Sequence, residues 1–278
     1  MARAENKMEA GGTAYLVAAL AKALREQQDL SQEDLGKKIG YTGSAVSAME
    51  TCAQPASDQM LVRLEEVLGS GLGVFERARE FIRLDRYPPQ FKDYVLLEQR
   101  ALTLSTYVTF VVHGLFQTET YARALIGGGY PPLREERVEE LVEARLARRA
   151  LFDRDPTALI ELVVEESALR RVIGDEEVMR GQMLHLVECA RRRNVTLQVL
   201  PSDCGLGGEH FGCRGDMTLV ETPEHDHLAY LEPQDESLLV SDRTKVTTYA
   251  HRYAKIRSQA LGPRESLGLI EQLAGEFQ

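Results

Sequence analysis

The stretch LSQEDLGKKIGYTGSAVSAME, residues 30–50, leaves the chain little conformational freedom. Ser31 stands just before QEDLGKKI. Its hydroxyl can accept a bond from the Asp34 amide, and Asp34 is a shorter substitute for the Glu of a capping box. Leu35 and Ile39, at i and i+4, turn to one side of a helix. Gly36 removes a side chain where a second helix must come close. Gly40 can take the left-handed conformation that ends a helix sharply. Thr42 can cap the next helix, whose inward face is Val46 and Met49. The expected result is two short helices at a steep angle around a tight turn.

The neighbouring sequence supports a compact helical domain. Leu16, Leu20 and Leu24 keep helical spacing ahead of it. A further helix, SDQMLVRLEEVLG, starts at Ser57 or Asp58 and stops at Gly69. GSGLG then ends the first module, placed at residues 1–73, with five short helices expected by about residue 83. Residues 74–155 read as a mostly helical connecting and dimerisation region, broken by RYPPQF and GGGYPPL. Its longest helix, REERVEELVEARLARRALF, puts Val138, Leu141, Val142, Leu146 and Leu151 near one face.

After Pro156 the pattern changes. ALIELVVEE, VTLQVLP, DMTLVET, HLAYLEP and ESLLVS are short strand candidates among helices. Residues 156–278 are therefore α+β, and 74–278 reads as one module. The predicted fold class is an all-α N-terminal domain followed by a larger α+β domain with clustered strands and covering helices.

Charge decides which partners are plausible. The net charge is -10, so a chain-wide basic field, the usual footprint of a nucleic-acid binder, is absent. Residues 1–73 hold seven Lys/Arg against ten Asp/Glu, a balance of -3. Any DNA contact must come from a local patch. No apolar run is long enough for a membrane span. MARAENKMEAGGTAYLVAAL reads as a short lead into a helix, not a signal peptide. Four cysteines, Cys52, Cys189, Cys204 and Cys213, are sparse, as in a cytoplasmic protein with free thiols.

Residues 16–69 resemble the helix-turn-helix domain of Xre-family, phage-repressor-like regulators. The carrying motif is LREQQDLSQEDLGKKIGYTGSAVSAME, followed by a Pro and a closing amphipathic helix. The resemblance implies that Gln32, at the start of the second helix, holds a DNA phosphate. It implies a structural salt bridge between Arg25 and Glu50. It also implies that bases are read from the start of the third helix, here Thr42, Gly43, Ser44, Ser47 and Ala48. Lys22, Lys37 and Lys38, with Arg3 and Lys7 in the lead, are the expected phosphate partners. Hydroxyls and an Ala methyl can touch base edges, but none makes the bidentate Arg–guanine contact worth roughly 1–3 kcal/mol of discrimination. In ETCAQP, Cys52 replaces the family's usual Gly, and the loop is short and uncharged. A Cys in a left-handed cap costs about 1 kcal/mol, or else the helix ends differently.

HGLFQTETYARALI, VEARLARRALF, SALRRVIGDEEVMRGQMLHLVE, NVTLQVLP and LGPRESLGLI resemble the C-terminal domain of actinobacterial WhiJ-like regulators. Such proteins are similar to antitoxin-like transcriptional regulators, and a small partner protein typically accompanies them.

Catalytic chemistry finds weak footing. CGLGGEHFGC brings Cys204, His210 and Cys213 within ten residues, and His185 and Cys189 are spaced i, i+4. Zinc sites favour tighter paired spacing. His225, Asp226 and His227 sit at a turn, and Glu165 and Glu166 end a strand. No phosphate-cradling Gly loop and no Ser elbow is present. Tyr107, Phe110, Phe116 and Tyr121 read as core before ligand wall. The expectation is no catalytic residue, metal or cofactor. The chain reads as a dimeric, sequence-specific regulator of transcription. Its partners would be double-stranded DNA, a second copy, and a small protein or ligand sensed by the C-terminal domain. The alternative is an antitoxin-like interaction module whose head binds DNA weakly or not at all.

Overall fold

A computed structural model describes residues 12–84, 91–205, 207, 209–233 and 237–277. The chain divides into two compact units, Met1–Pro89 and Gln90–Gln278.

The first unit is all helical, with α1 (Gly12–Gln27), α2 (Gln32–Ile39), α3 (Gly43–Glu50), α4 (Asp58–Leu68) and α5 (Val74–Leu84). The starts of α2 to α5 have local causes. Ser31, Thr42 and Ser57 accept bonds from the amides of Asp34, Ala45 and Met60. Glu65 accepts from the amides of Gly73 and Phe75 at 2.8 and 2.7 Å, which secures the entry to α5. Val17, Leu35, Val46, Leu61 and Leu64 meet in one core. The unit extends past residue 73, because Phe75 of α5 is fully buried in that core.

The second unit is α+β. Its elements run α6 (Lys92–Arg100), β1 (Thr103–Val108), α7 (Glu119–Gly127), α8 (Glu135–Ala147), β2 (Leu159–Glu165), α9 (Glu166–Arg170) and α10 (Glu176–Ala190). Then come β3 (Val195–Leu200), β4 (Met217–Glu221), β5 (His227–Leu231), β6 (Leu238–Val240), α11 (Arg243–Gln259) and α12 (Pro263–Glu276). The strands form one six-stranded sheet in the order β3-β2-β1-β4-β5-β6. β3, β2 and β1 are parallel, and β1, β4, β5 and β6 run antiparallel in turn.

β1 corrects the expectation of a helical region across 74–155. TLSTYV is half Thr and Ser, so it lacks the apolar run that marks the other strands. It is nevertheless central, lying between β2 and β4. Its polar side chains find partners across the sheet: Ser105 donates to Glu161 at 3.1 Å, and Thr106 meets Thr218 at 3.2 Å.

One sheet face is apolar. Leu104, Leu162, Leu197 and Val220 pack there with Met183 of α10 and Ile270 of α12. On the other face, Tyr107, Val163, Leu200 and Met217 meet Tyr253 and Ile256 of α11. The β3 edge is covered: Val199 accepts from the Leu261 amide and donates to Ser266 Oγ, both at 2.9 Å. Tyr107, Phe116 and Tyr121 are buried, whereas Phe110 is exposed beside the Arg171 guanidinium. Arg148 and Glu98, with side chains 4% and 1% exposed, form a bidentate ion pair at 2.7 and 2.6 Å.

Candidate nucleic-acid interface

The geometry around residues 30–50 is that of two helices locked by a tight turn. Ser31 Oγ accepts from the Asp34 amide at 3.1 Å, and the Asp34 carboxylate accepts from the Ser31 amide at 3.3 Å, closing the capping box. The Ser31 bonds also hold the Asp34 carboxyl below its ordinary range. Gly40 is left-handed at φ 78°. A Cβ on Gly36 would stand 2.8 Å from the Tyr41 carbonyl oxygen, so only glycine lets the turn fold back this closely. Leu35, Ile39, Val46 and Met49 are buried beneath.

The predicted contact residues differ in exposure. Thr42 and Ser44 are exposed at the start of α3, with their hydroxyl oxygens 2.9 Å apart. Gly43, Ser47 and Ala48 are half-buried. Lys37 and Lys38 are exposed in the last turn of α2, where the helix dipole favours positive charge. Lys22 is exposed on α1. Arg3 and Lys7 lie outside the described residues.

Beneath them, Arg25 donates to Glu50 through Nε at 2.6 Å and Nη2 at 3.1 Å, and through Nη1 to the Leu30 carbonyl at 2.6 Å. Gln32 Nε2 donates to the same Glu50 carboxylate at 2.8 Å. An amide nitrogen carries two hydrogens, so one stays available to a phosphate. Burial opposes ionisation of Glu50, but the bonds from Arg25 and Gln32 and the Arg25 charge outweigh it and hold its carboxyl below the usual range. The same carboxylate raises the Arg25 guanidinium. Glu50 thus links α1, α2 and α3.

Cys52 occupies the left-handed position after α3 at φ 54°. Its thiol is buried, 3.6 Å from the Ala14 carbonyl, and burial raises its pKa. Packing against α1 offsets the strain that a glycine would have avoided.

The other candidates are scattered. His210 Nε2 lies 3.3 Å from Glu165 Oε1, and that carboxylate also accepts from the Tyr107 hydroxyl. Glu166 pairs with Arg170 at 2.7 Å. Cys204 Sγ is 3.9 Å from Gln259 Oε1, and Cys213 is exposed. His185 and Cys189 are 3.6 Å apart, and His225 meets Glu221 at 2.8 Å. Asp226 and His227 are exposed at the β4–β5 turn. The spacing in the sequence could not anticipate the buried Tyr107–Glu165–His210 contact, since its members come from three separate segments.

The capped α2–turn–α3 frame defines the first unit as a helix-turn-helix domain, the fold of a DNA-binding regulator, and residues 22–75 match the Helix-turn-helix family HTH_3. Residues 91–272 match the family described as Domain of unknown function (DUF5753). That match covers most of the chain, and the protein belongs to this family. Comparison with curated proteins and with solved structures gave no match. Among the described residues, no helix is long and apolar enough to cross a membrane.

Proposed function

We propose that this protein is a sequence-specific regulator of transcription that works in the cytoplasm as a homodimer. The observation that carries the reading is the exposed tip of α3, with Thr42 and Ser44 held on a rigidly capped frame beside Lys37 and Lys38. In this reading α3 enters the major groove. Gln32 and the lysines hold phosphates, and Thr42, Gly43, Ser44, Ser47 and Ala48 meet base edges. Residues 1–73 are net acidic, with seven Lys/Arg against ten Asp/Glu, so one copy binds weakly. Two copies on adjacent half-sites double the phosphate contacts. With three lysines per copy, the affinity of a dimer falls with salt at a log–log slope of roughly -5.

The second unit then holds the dimer and senses a protein partner or a ligand, as in WhiJ-like, antitoxin-like regulators. It acts as a binder and not as an enzyme. Cys204 and His210 have structural roles, and no metal or cofactor is required.

A gel-shift titration on the duplex upstream of the coding region tests this. Gln32→Ala and Lys37→Glu are each expected to weaken binding at least tenfold. Unchanged affinity in both variants rejects the contact face. The acidic balance of residues 1–73 favours a second reading, an antitoxin-like interaction module whose head no longer binds DNA usefully. Absence of any shift at low salt, together with stoichiometric co-purification of a small neighbour-encoded protein, would select that reading.

A further inference from the structure

The second unit carries a cleft that the DNA reading does not use. Its floor is a row across the sheet on the α11 side: Leu219 pairs with Ser105, Ser105 pairs with Glu161, and Gln198 of β3 lies next to them. Its wall is one stripe of α11, Ala250, Tyr253, Ala254, Arg257 and Ser258, with Pro263 at the end. The spacing i, i+3, i+4, i+7, i+8 puts these side chains on one helix face. Elsewhere on this face, large apolar side chains seal the helix onto the sheet. Here two alanines and a serine are too small to close the gap, and about 620 Å³ stays open. Drug-sized molecules occupy clefts of roughly 300–1,000 Å³.

The polar groups in the cleft are held in place. Arg257 donates through Nη1 to Glu161 at 2.9 Å and through Nε to Gln198 at 3.0 Å. Gln198, itself 8% exposed, donates to the Leu261 carbonyl at 2.8 Å. These bonds fix the guanidinium plane, and Arg257 Nη2 bonds no described residue. Tyr253 is 5% exposed, and its hydroxyl is buried without a hydrogen-bond partner. Ser105 and Glu161 stand close enough to interact with it as weak hydrogen-bond partners, but neither meets it at full hydrogen-bonding geometry. A buried hydroxyl in this state has exchanged its water for poorly aligned neighbours, and a guest that accepts from it makes a better bond.

The surrounding charge sets the sign of that guest. α11 carries five basic residues, Arg243, Lys245, Arg252, Lys255 and Arg257, and no acidic residue in 17 positions, within a chain of net charge -10. Glu161 on the floor offsets Arg257 alone. A singly charged anion therefore gains from the helix, whereas a dianion has a desolvation cost that grows with the square of its charge while its attraction only doubles. Leu219, Ala250, Ala254 and Pro263 offer an apolar track for the rest of the molecule.

We infer that this cleft binds a small amphiphilic carboxylate, its head on Arg257 Nη2 and the Tyr253 hydroxyl and its hydrocarbon along the alanine side of α11. The assignment rests on the reading of the second unit as a sensor, and gives that sensor a site and a ligand class.

Isothermal titration calorimetry on the full chain, without DNA, tests it with octanoate as the probe and octan-1-ol and octyl phosphate as comparators. Octanoate is expected to bind saturably at one site per chain, at least tenfold tighter than octan-1-ol and several-fold tighter than octyl phosphate. Ala254→Trp, at an exposed position of the wall, fills the cleft and abolishes binding with little change in melting temperature. Tyr253→Phe keeps the ring packing and weakens octanoate about fivefold. Equal binding by wild type and Ala254→Trp overturns the site, and octan-1-ol or octyl phosphate binding as tightly as octanoate overturns the ligand class. The gel shift is measured separately. A protein that shifts DNA but ignores octanoate overturns the cleft assignment alone. Octanoate binding that requires the cleft, in a protein with no duplex affinity, supports the cleft and overturns the regulator reading.

Discussion

Each unit is locked by an arginine–glutamate pair, but the pairs sit in different surroundings. In the helix-turn-helix unit, Arg25 joins Glu50 across 25 positions, with side chains 9% and 2% exposed, and Gln32 and the Leu30 carbonyl share the load. In the sheet unit, Arg148 joins Glu98 across 50 positions at greater depth, with its guanidinium carbon 5.1 Å from the Phe91 ring centroid. Burial opposes ionisation of Glu98 first, and the Arg148 charge and hydrogen bonds overcome it, so its carboxyl stays below the ordinary range. The first pair fastens helices that local caps have already shaped. The second fastens α6 to the turn after α8, segments that no local signal brings together.

Removing one member of each pair is the strongest way to break this comparison. Glu98→Ala leaves a buried, uncompensated guanidinium, and the expected loss is about 3–5 kcal/mol for the sheet unit. Arg25→Ala should cost the helical unit less, about 2–3 kcal/mol, because Glu50 keeps its bond from Gln32 and the site lies nearer water. Urea unfolding followed by circular dichroism reads both. Equal or reversed losses would mean that depth of burial is not what separates the two pairs.

Acid gives the next largest contrast. All six histidines lie after residue 90. Burial first, and then the Arg148 charge, lowers His113 from its ordinary 6.5 to about 4, and burial also lowers His185. The neutral ring is thus the form the fold favours. Stability is whole above pH 6.5 and is lost as pH falls toward 4, by up to about 3 kcal/mol for His113. Its ring is partly accessible, which trims that figure. The helical unit has no histidine, and its depressed carboxylates, Asp34 and Glu50, contribute stability that is whole above pH 4.5 and is lost only as the pH falls below that. Acid titration by NMR should therefore disturb the sheet unit first, and simultaneous loss of both units would undo the contrast.

The smallest expected effects probe the caps. Ser31→Ala should cost about 1 kcal/mol, the worth of an N-cap. Cys52→Gly relieves a left-handed strain of about 1 kcal/mol but gives up thiol packing against α1, so its net change in melting temperature should be slight. A large loss would mark Cys52 as a core anchor and not a tolerated substitute.

How far each unit could be read ahead of its structure follows the same division. The Ser31–Asp34 box, the Gly40 turn and the cap at Thr42 were all legible, and the start of α4 was placed to within one residue. β1 was not, since Ser105 and Thr106 make sense in a central strand only once Glu161 and Thr218 stand opposite. Among the candidate contact residues, the sequence placed Thr42 and Ser44 at a helix start. It could not show that the Gln32 amide donates to Glu50.

By itself the sequence determined the capped helices of the first unit and the presence of strands in the second, because a cap closes within four residues and a strand's side-chain alternation is written along its own length. Only the tertiary structure decided the strand order, the buried Arg148–Glu98 pair and the cleft under α11. Each of these joins segments tens of residues apart, and their pairing is set by which apolar faces and charges can be buried together, not by any local preference.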